Sequence, residues 1–312
     1  MESNKNCIVE DVTGKTIHFH FPPGTDGIGD CVDALSQPQS PPKVEKSEVH
    51  VSQCKDDLFY NMNHPKRGIS VIFNHEEFDE SLDLEVRKGT KTDCTNLQET
   101  LQSMNFEVIV RNDLKFIELD TVLNEVAATD FSDSDCLLIF VLSHGVQNAL
   151  YARDMFYSNN YLFDRFTPDK CPSLAGKPKI FIIQACQGKR LDPGLNVECD
   201  RLDAGVTSYR IPLYVDFLFA HSTIPGFYSW RNPVRGSFFI QAFCDELNRN
   251  WKQYDLVTIL TFVNRRVACD FESYRPAEPP MHRQKQTSAF TSQLTRIIKF
   301  HPKTVENNDI QK

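Results

Sequence analysis

The stretch Phe181-Ile182-Ile183-Gln184-Ala185-Cys186-Gln187-Gly188 is an apolar run that ends in a cysteine followed by a glycine turn. A short apolar run bounded by turn signals is typical of a strand buried on both faces of a sheet. A second such run, residues 136–142, is followed by Ser143-His144-Gly145. Ligands and catalytic groups of open α/β sheets gather where the strands end. The sequence therefore predicts that Cys186 and His144 lie at the same edge of one sheet.

Each of these two residues has an ordinary structural interpretation when it is taken alone. Cys186 is typical of a small buried hydrophobic residue, and His144 is typical of a hydrogen-bonded turn residue. A thiol with a pKa of about 8.5 is mostly protonated at neutral pH and needs a base or a positive charge nearby. Because the cysteine and the histidine occupy matching strand ends, we favour catalysis, with Cys186 as the nucleophile.

Length and composition exclude several classes of protein. The chain has 312 residues, of which 40% are hydrophobic and 24% are charged, so it can bury a large core in one or two domains. Its net charge of -8 gives no reason to expect a nucleic-acid or membrane partner. No apolar run approaches the roughly 18 residues of a membrane span, and the first residues have no signal-peptide core. We expect an intracellular, cytoplasmic protein.

The cysteines give no metal or disulfide pattern. None of them forms a Cys-x-x-Cys pair, and none has a metal-binding spacing with histidine. We therefore predict reduced thiols, neither zinc nor disulfides, and no cofactor. The chain has ten cysteines, at positions 7, 31, 54, 94, 136, 171, 186, 199, 244 and 269.

The order of the patterns predicts an α/β fold. Residues 20–58 are rich in proline, glycine and serine and predict a mobile arm. From Tyr60 onward strand and helix patterns alternate, which favours a mostly parallel sheet covered by helices. Between Gly188 and Ile211 the pattern lapses, and this loop is either functional or an ordinary solvated surface loop. The predicted strands are 70–74, 108–110 (edge-like), 136–142, 179–185, 216–220 and 294–300. One predicted helix follows the capping candidates Thr90 and Thr92, and the other predicted helices cover 116–126, 238–247 and 256–270.

The pentapeptide Gln184-Ala185-Cys186-Gln187-Gly188 resembles the signature of the caspase family, and His144 lies 42 residues upstream of the cysteine. Over residues 58–300 the chain is similar to a caspase core, and most similar to effector caspases with short prodomains, of the insect type. The resemblance implies a caspase-like three-layer sandwich with a mostly parallel six-stranded sheet flanked by helices. Further matching motifs are Tyr60-Asn61-Met62-Asn63, Arg87-Lys88-Gly89-Thr90, Ser143-His144-Gly145, Gly176-Lys177-Pro178-Lys179 and Tyr228-Ser229-Trp230-Arg231-Asn232.

The resemblance implies the roles of the catalytic residues. Cys186 would attack the scissile carbonyl, and His144 would protonate the leaving amine. The backbone N–H groups of Gly145 and Cys186 would form the oxyanion hole. In this family a backbone carbonyl orients the histidine, and Glu85 is the matching residue.

The resemblance also implies a pocket for aspartate, built from Arg87, Arg231 and Gln184. A planar guanidinium binds a carboxylate in a bidentate manner, whereas an asparagine in the same place would leave buried charge unpaired. Each arginine taken alone is typical of a solvated surface residue. The matching outer subsite residues are Tyr228, Trp230, Asn232 and Phe238, and they favour an Asp-Glu-x-Asp preference.

Two residues and one short segment depart from the family pattern. Phe238 stands where vertebrate effector caspases carry tryptophan, which bears on the outermost subsite. Gln187 replaces the commoner arginine beside the nucleophile. The segment Val146-Gln147-Asn148 lacks the usual acidic and glycine pattern.

The resemblance further implies a zymogen that is cut after aspartate. We expect a disordered prodomain over residues 1–33, a large subunit over 34–200, a processing region over 201–203 and a small subunit over 204–312. Asp200 and Asp203 are both candidate cleavage sites between the subunits, and Asp33 is the candidate for removal of the prodomain. Cleavage at Asp33 would expose Ala34-Leu35-Ser36, which resembles peptides bound by inhibitor-of-apoptosis proteins; the alternative is an inert disordered tail.

The expected protein is an effector caspase that acts in apoptosis. Its expected partners are protein substrates, an upstream initiator caspase, possible inhibitor-of-apoptosis proteins, and a second copy of itself that pairs through the final strand. Two alternatives stay open. One is a catalytically inactive homologue that acts as a scaffold or decoy, and the other is a metacaspase-like peptidase that cuts after basic residues.

Overall fold

The computed structural model describes residues 57–192 and 214–303, together with two short strands near the amino terminus. The chain divides into two compact units, Met1–Lys46 and Ser47–Lys312. In the first unit, β1 (Cys7–Glu10) and β2 (Thr16–Phe19) form an antiparallel hairpin. The remaining elements belong to the second unit.

The second unit alternates strands and helices along the chain, as the sequence predicts. Its strands are β3 (Ile69–Asn74), β4 (Glu107–Asn112), β5 (Leu137–Leu142), β6 (Gly145–Val146), β7 (Ala149–Tyr151), β8 (Phe156–Ser158), β9 (Lys179–Gln184), β10 (Phe217–His221), β11 (Arg231–Asn232), β12 (Gly236–Ser237) and β13 (Ala289–Ser292). Its helices are α1 (Thr90–Ser103), α2 (Phe116–Ala127), α3 (Asn160–Phe163), α4 (Phe238–Asn250) and α5 (Leu256–Asp270), and its 3-10 turns are Glu80–Leu82, Pro172–Leu174 and Pro279–Met281.

Six of these strands form the main sheet, in the order β13-β10-β9-β5-β3-β4. The five strands from β10 to β4 in this order are all parallel to one another, and β13 is antiparallel to β10. Every residue of the central strands β3, β5 and β9 is buried. The predicted α/β fold with a mostly parallel six-stranded sheet is therefore confirmed, and so is the edge position of β4.

Helices cover both faces of the sheet, which makes three layers. Successive strand residues point to opposite faces, so Ile72 belongs to one core cluster and Val71 belongs to the other. The first cluster contains buried residues of α1, α4 and α5, such as Leu101, Phe243 and Leu260. The second cluster contains buried residues of α2 and α3. A two-sided core explains why the central strands read as continuous apolar runs.

Two predictions about the elements are wrong: the N-cap of the first helix and the position of the last strand. The first helix is preceded by Gly89 at its N-cap, with a φ of 91°, and neither Thr90 nor Thr92 is the cap. A side chain at position 89 would collide with the hairpin formed by β11 and β12, because its Cβ would lie 2.5 Å from the carbonyl oxygen of Asn232. Glycine is thus required there both by conformation and by space.

The last strand of the sheet lies at Ala289–Ser292 and not at 294–300. Residues 294–300 are apolar for a different reason, since Ile298 and Phe300 are buried in the first core cluster without joining the main sheet. The observed β13 is an edge strand with half-buried and exposed side chains, so it lacks the apolar signal of the central strands.

Candidate active site

His144 and Cys186 follow neighbouring parallel strands, β5 and β9. The last residues of these strands, Leu142 and Gln184, are partners in the ladder. Beyond them, the N–H of Ser143 donates to the carbonyl oxygen of Gln184 at 3.1 Å. The two residues that the sequence pairs therefore leave the sheet side by side at its carboxyl edge.

The ring of His144 is fixed on one side by the backbone. Nε2 lies 2.8 Å from the carbonyl oxygen of Glu85 and must donate to it, because a carbonyl oxygen only accepts. Phe78 packs on the ring, with 5.0 Å between the ring centroids. Burial lowers the pKa of His144 to about 4, and the bond to Glu85 opposes this only in part. At neutral pH the imidazole is therefore uncharged, with its lone pair on Nδ1.

The thiol of Cys186 is held by Ser229, which belongs to a family motif but has no predicted role. Sγ lies 3.7 Å from the carbonyl oxygen of Ser229 and accepts the N–H of the same residue at 3.4 Å. Burial raises the pKa of Cys186, and the N–H of Ser229 and the charges of Arg87 and Arg231 lower it by smaller amounts. The resting thiol is protonated, so the sulfur needs a base to react.

Gly145 packs directly against the backbone that carries the cysteine. A Cβ at position 145 would lie 2.8 Å from the carbonyl oxygen of Cys186 and 2.9 Å from the Cβ of Ala185. Both separations are shorter than van der Waals contact. The close approach of the two backbone segments therefore requires glycine at this position.

Arg87 is a buried cation with one uncommitted donor. It is 1% exposed, and its Nη1 donates to the carbonyl oxygen of His75 at 2.8 Å and to Oγ1 of Thr90 at 2.9 Å. Within the described residues, Nη2 has no hydrogen-bond partner. Burial and the charge of Arg231 lower the pKa of Arg87 to about 9. A buried guanidinium with an unpaired donor favours an anionic ligand.

Arg231 and Gln184 are the other two residues that the sequence predicts for the aspartate pocket. Arg231 donates from Nε to the carbonyl oxygen of Lys88 at 2.8 Å. Gln184 donates from Nε2 to Oγ of Ser229 at 2.9 Å, and its Oε1 has no partner among the described residues. Because the Ser229 hydroxyl can donate as well as accept, the amide can turn over and present its N–H groups to a carboxylate.

An open cleft of about 1090 Å³ extends from Arg231 and is walled by aromatic rings. Trp230, Phe238 and Phe271 line it, and the rings of Phe238 and Phe271 are 4.2 Å apart. Phe271 was not predicted, since it directly follows α5 and carries no motif of its own. Tyr228 is not among the residues that line this cleft, and its N–H donates to the carbonyl oxygen of Arg190 at 3.0 Å.

Asn232 lines this cleft, but its side chain accepts hydrogen bonds from the backbone of the turn that follows it. Oδ1 accepts the N–H groups of Val234 and Arg235, both at 2.9 Å. The side chain thereby shapes the tip of the hairpin between β11 and β12.

Similarity to known proteins agrees with this geometry. Residues 67–299 match the family model of the caspase domain. The chain belongs to the caspase family. It is 45% identical over 285 residues to Caspase drICE of Drosophila melanogaster, covering 90% of this chain and 83% of that one. It is 47% identical over 282 residues to Caspase-1 of Spodoptera frugiperda, covering 89% of this chain and 93% of that one.

A solved structure supports the same assignment. The crystal structure of Caspase-1 from Spodoptera frugiperda matches with a TM-score of 0.77 and 46% identity, covering 83% of this chain and 99% of that chain. This caspase is of the effector, insect-like type, and it is a cysteine-type endopeptidase. In the part of the caspase that the structure describes, no helix is long and apolar enough to cross a membrane.

Gln187, which departs from the common caspase signature, is built into the site. It is 8% exposed, its N–H donates to the carbonyl oxygen of Phe227 at 3.0 Å, and its Nε2 donates to the carbonyl oxygen of Thr223. Its own carbonyl oxygen accepts the N–H of Gly226 at 2.7 Å. The residue after the nucleophile thus fastens the loop that leads to Ser229.

The candidate processing sites of this caspase cannot be placed in the same way. Asp33, Asp200 and Asp203 lie outside the described residues, and so does most of the loop between Gly188 and Ile211. The hairpin of β1 and β2 falls within the stretch expected to be the prodomain. The cysteines whose side chains the structure describes are all free thiols, and they are Cys94, Cys136, Cys171, Cys186, Cys244 and Cys269.

Proposed function

We propose that this caspase hydrolyses the peptide bond that follows an aspartate, with a preference for Asp-Glu-x-Asp. The observation that carries the proposal is the buried Arg87, whose Nη2 is unpaired among the described residues, close to Arg231 at the edge of the sheet where Cys186 lies. The two guanidinium groups offer the donors that a carboxylate accepts. An asparagine would leave a buried charge without a counterion, at a cost of several kcal/mol.

The chemistry begins from a neutral pair. His144 takes the proton of Cys186 at Nδ1 while the sulfur bonds to the scissile carbonyl carbon, and the oxygen becomes an oxyanion. The N–H groups of Gly145 and Cys186 donate to that oxyanion. When the C–N bond breaks, the leaving nitrogen takes the proton from His144, which leaves a thioester. Water then gives a proton to His144 and attacks the thioester, releasing the acid and the thiol.

The outer cleft supports the preference beyond the aspartate. Trp230, beside Tyr228, offers an apolar surface for the residue before the aspartate, and their ring centroids are 6.4 Å apart. Phe238 and Phe271 bound the outer part of the cleft. Phenylalanine at position 238 has no indole N–H, so acid selection further out rests on the hairpin around Asn232 and on neighbouring backbone groups.

Activation and assembly follow the same proposal. Cleavage by an initiator caspase at Asp200 or Asp203 would divide the chain into large and small subunits, and cleavage at Asp33 would remove the prodomain. The small subunit would bring β13 to a second copy, because β13 is the edge strand and exposed Leu58 and Ile297 lie beside it. The activity belongs to apoptosis in the cytoplasm, under control by inhibitor-of-apoptosis proteins.

Purified enzyme and fluorogenic tetrapeptides test the cleavage. Peptides that end in Asp, Asn, Glu and Arg are compared for the wild type and for Cys186→Ala, with the exposed Cys269→Ala as the matched control. We expect cleavage after Asp alone, lost in Cys186→Ala and kept in Cys269→Ala. Cleavage after Arg would support a metacaspase-like specificity, and silence of the wild type would support a scaffold; either result refutes the proposal.

Mass spectrometry of the processed chains tests the activation. New carboxyl termini at Asp33 and at Asp200 or Asp203 are expected. If neither Asp200 nor Asp203 becomes a terminus, the proposed activation is wrong. A synthetic peptide of residues 34–40 that fails to bind an inhibitor-of-apoptosis protein would remove that partner.

A further inference from the structure

Asp93 is a buried carboxylate on α1 that the proposed reaction does not use. It is 0% exposed and faces the hairpin of β11 and β12. Oδ1 accepts the N–H of Ser237 at 2.8 Å, and Oδ2 accepts the Ser237 hydroxyl at 2.7 Å. A Cβ at position 236 would lie 2.2 Å from Oδ1, so the adjoining glycine leaves the space that this carboxylate occupies.

The hairpin that Asp93 binds also carries Arg231. Arg231 and Ser237 are partners in the ladder of β11 and β12. Two further bonds join the same segments: Nε of Arg231 donates to the carbonyl oxygen of Lys88 at 2.8 Å, and Oγ1 of Thr92 donates to that of Val234 at 2.9 Å. Asp93 therefore helps to hold Arg231 against the start of α1.

The start of α1 carries the other arginine. Nη1 of Arg87 donates to Oγ1 of Thr90, the first residue of the helix, at 2.9 Å. One carboxylate thus lies at the junction of the two segments that present Arg87 and Arg231. These segments lie on either side of residues 193–213, so the junction would join the large and the small subunit after processing.

Asp93 is a buried negative group that acts on both arginines at this junction. Arg87 and Arg231 repel each other in a buried site, and Asp93 attracts both of them. Glu76 also attracts both arginines, Glu85 attracts Arg231, and Cys186 interacts electrostatically with both arginines. Cys94 and Cys244 also interact with Asp93, but burial raises the pKa of these thiols to about 11 and about 12, so both are neutral.

We infer that Asp93 is a positioning residue for aspartate recognition, which fastens β12 to α1 and supplies the negative charge that keeps Arg87 and Arg231 in one pocket. This inference rests on the proposed cleavage after aspartate. It assigns Asp93 no contact with the substrate.

The ionisation of Asp93 makes the inference testable by pH. Burial raises its pKa to about 6, and the two bonds from Ser237 and the charges of the arginines oppose this increase. Below that pH the carboxyl is neutral, and the arginines lose the buried negative charge of Asp93. The KM for an aspartyl peptide is therefore expected to rise as the pH falls through about 6, while His144, with a pKa of about 4, stays uncharged down to lower pH.

Two variants give opposite signatures in processed enzyme assayed with an Asp-Glu-Val-Asp fluorogenic peptide between pH 5 and pH 8. Asp93→Asn keeps the shape and can still accept from the Ser237 N–H, but it has no charge. We expect its KM at pH 7.5 to rise about tenfold with kcat changed less, and the inflection of KM near pH 6 to disappear. Ser237→Ala removes a bond that lowers the pKa of Asp93, so the inflection is expected at higher pH.

The outcomes separate this inference from the proposed function. The inference about Asp93 is overturned if Asp93→Asn keeps the KM of the wild type and its inflection of KM with pH. It is also overturned if that inflection does not move in Ser237→Ala. If Asp93→Asn does not fold, the direction of the shift in Ser237→Ala decides alone. If the wild type does not cleave after aspartate, or Arg87→Ala still does, the proposed function has failed instead.

Discussion

Nε2 of His144 lies 2.8 Å from the carbonyl oxygen of Glu85, so the orienting group of the candidate base is a backbone atom. The bond fixes the tautomer and leaves Nδ1 for proton transfer. Because the Glu85 side chain takes no part in it, Glu85→Gln is expected to keep kcat for an aspartyl peptide within about twofold of the wild type. His144→Ala is the matched loss-of-function variant. A large loss in Glu85→Gln would show that the carboxylate itself takes part.

Gly145→Ala is expected to lower kcat by about 10²-fold or more, which is the usual cost of losing one oxyanion donor. The added Cβ would lie 2.8 Å from the carbonyl oxygen of Cys186 and would force the two backbone segments apart. Steady-state kinetics on an aspartyl peptide measures the effect. Val146→Ala serves as the control, because Val146 is 43% exposed in the same short strand. Equal kcat values for the two variants would contradict the assigned role.

His75→Asn is expected to make the protein more resistant to acid. His75 is 0% exposed, and burial and the charge of Arg87 lower its pKa from 6.5 to about 4. Between these pH values the unfolded chain binds a proton that the folded chain does not, so stability is complete above pH 6.5 and declines toward pH 4. The full effect of this one residue is about 3 kcal/mol. The fall in Tm between pH 7 and pH 5 should be smaller in the variant, and an identical fall would contradict the assignment to His75.

Asp135→Asn is expected to destabilise the fold by about 3 to 5 kcal/mol, because it leaves buried cations without their counterion. Oδ2 of Asp135 lies 2.7 Å from Nη1 of Arg67 and 2.6 Å from Nζ of Lys303, and neither the Asp135 nor the Arg67 side chain is exposed. Urea unfolding measures the change. The control is Glu272→Gln, which removes an exposed pair with Arg283 and should change stability by less than about 1 kcal/mol. Similar effects in both variants would show that burial does not decide the cost.

The sequence predicted the α/β architecture because continuous apolar runs are required of strands covered on both faces. It failed at β13, since an edge strand with half-exposed residues has no such run. It also placed the first helix cap on threonine, whereas the cap is Gly89, whose role depends on the distant Asn232. Both errors concern residues whose environment is supplied by a part of the chain far away in sequence.

The sequence by itself determined the family and the two strand ends with His144 and Cys186, and it gave the residue types of the proposed carboxylate pocket, because these are fixed by short motifs. Only the tertiary structure decided which groups are charged and paired. It buried Arg87 beside Arg231, turned His144 toward the Glu85 carbonyl, and brought Asp93 to Ser237 across a separation of 144 residues. Desolvation and hydrogen bonding depend on what surrounds a side chain in space, and no local pattern in the sequence carries that information.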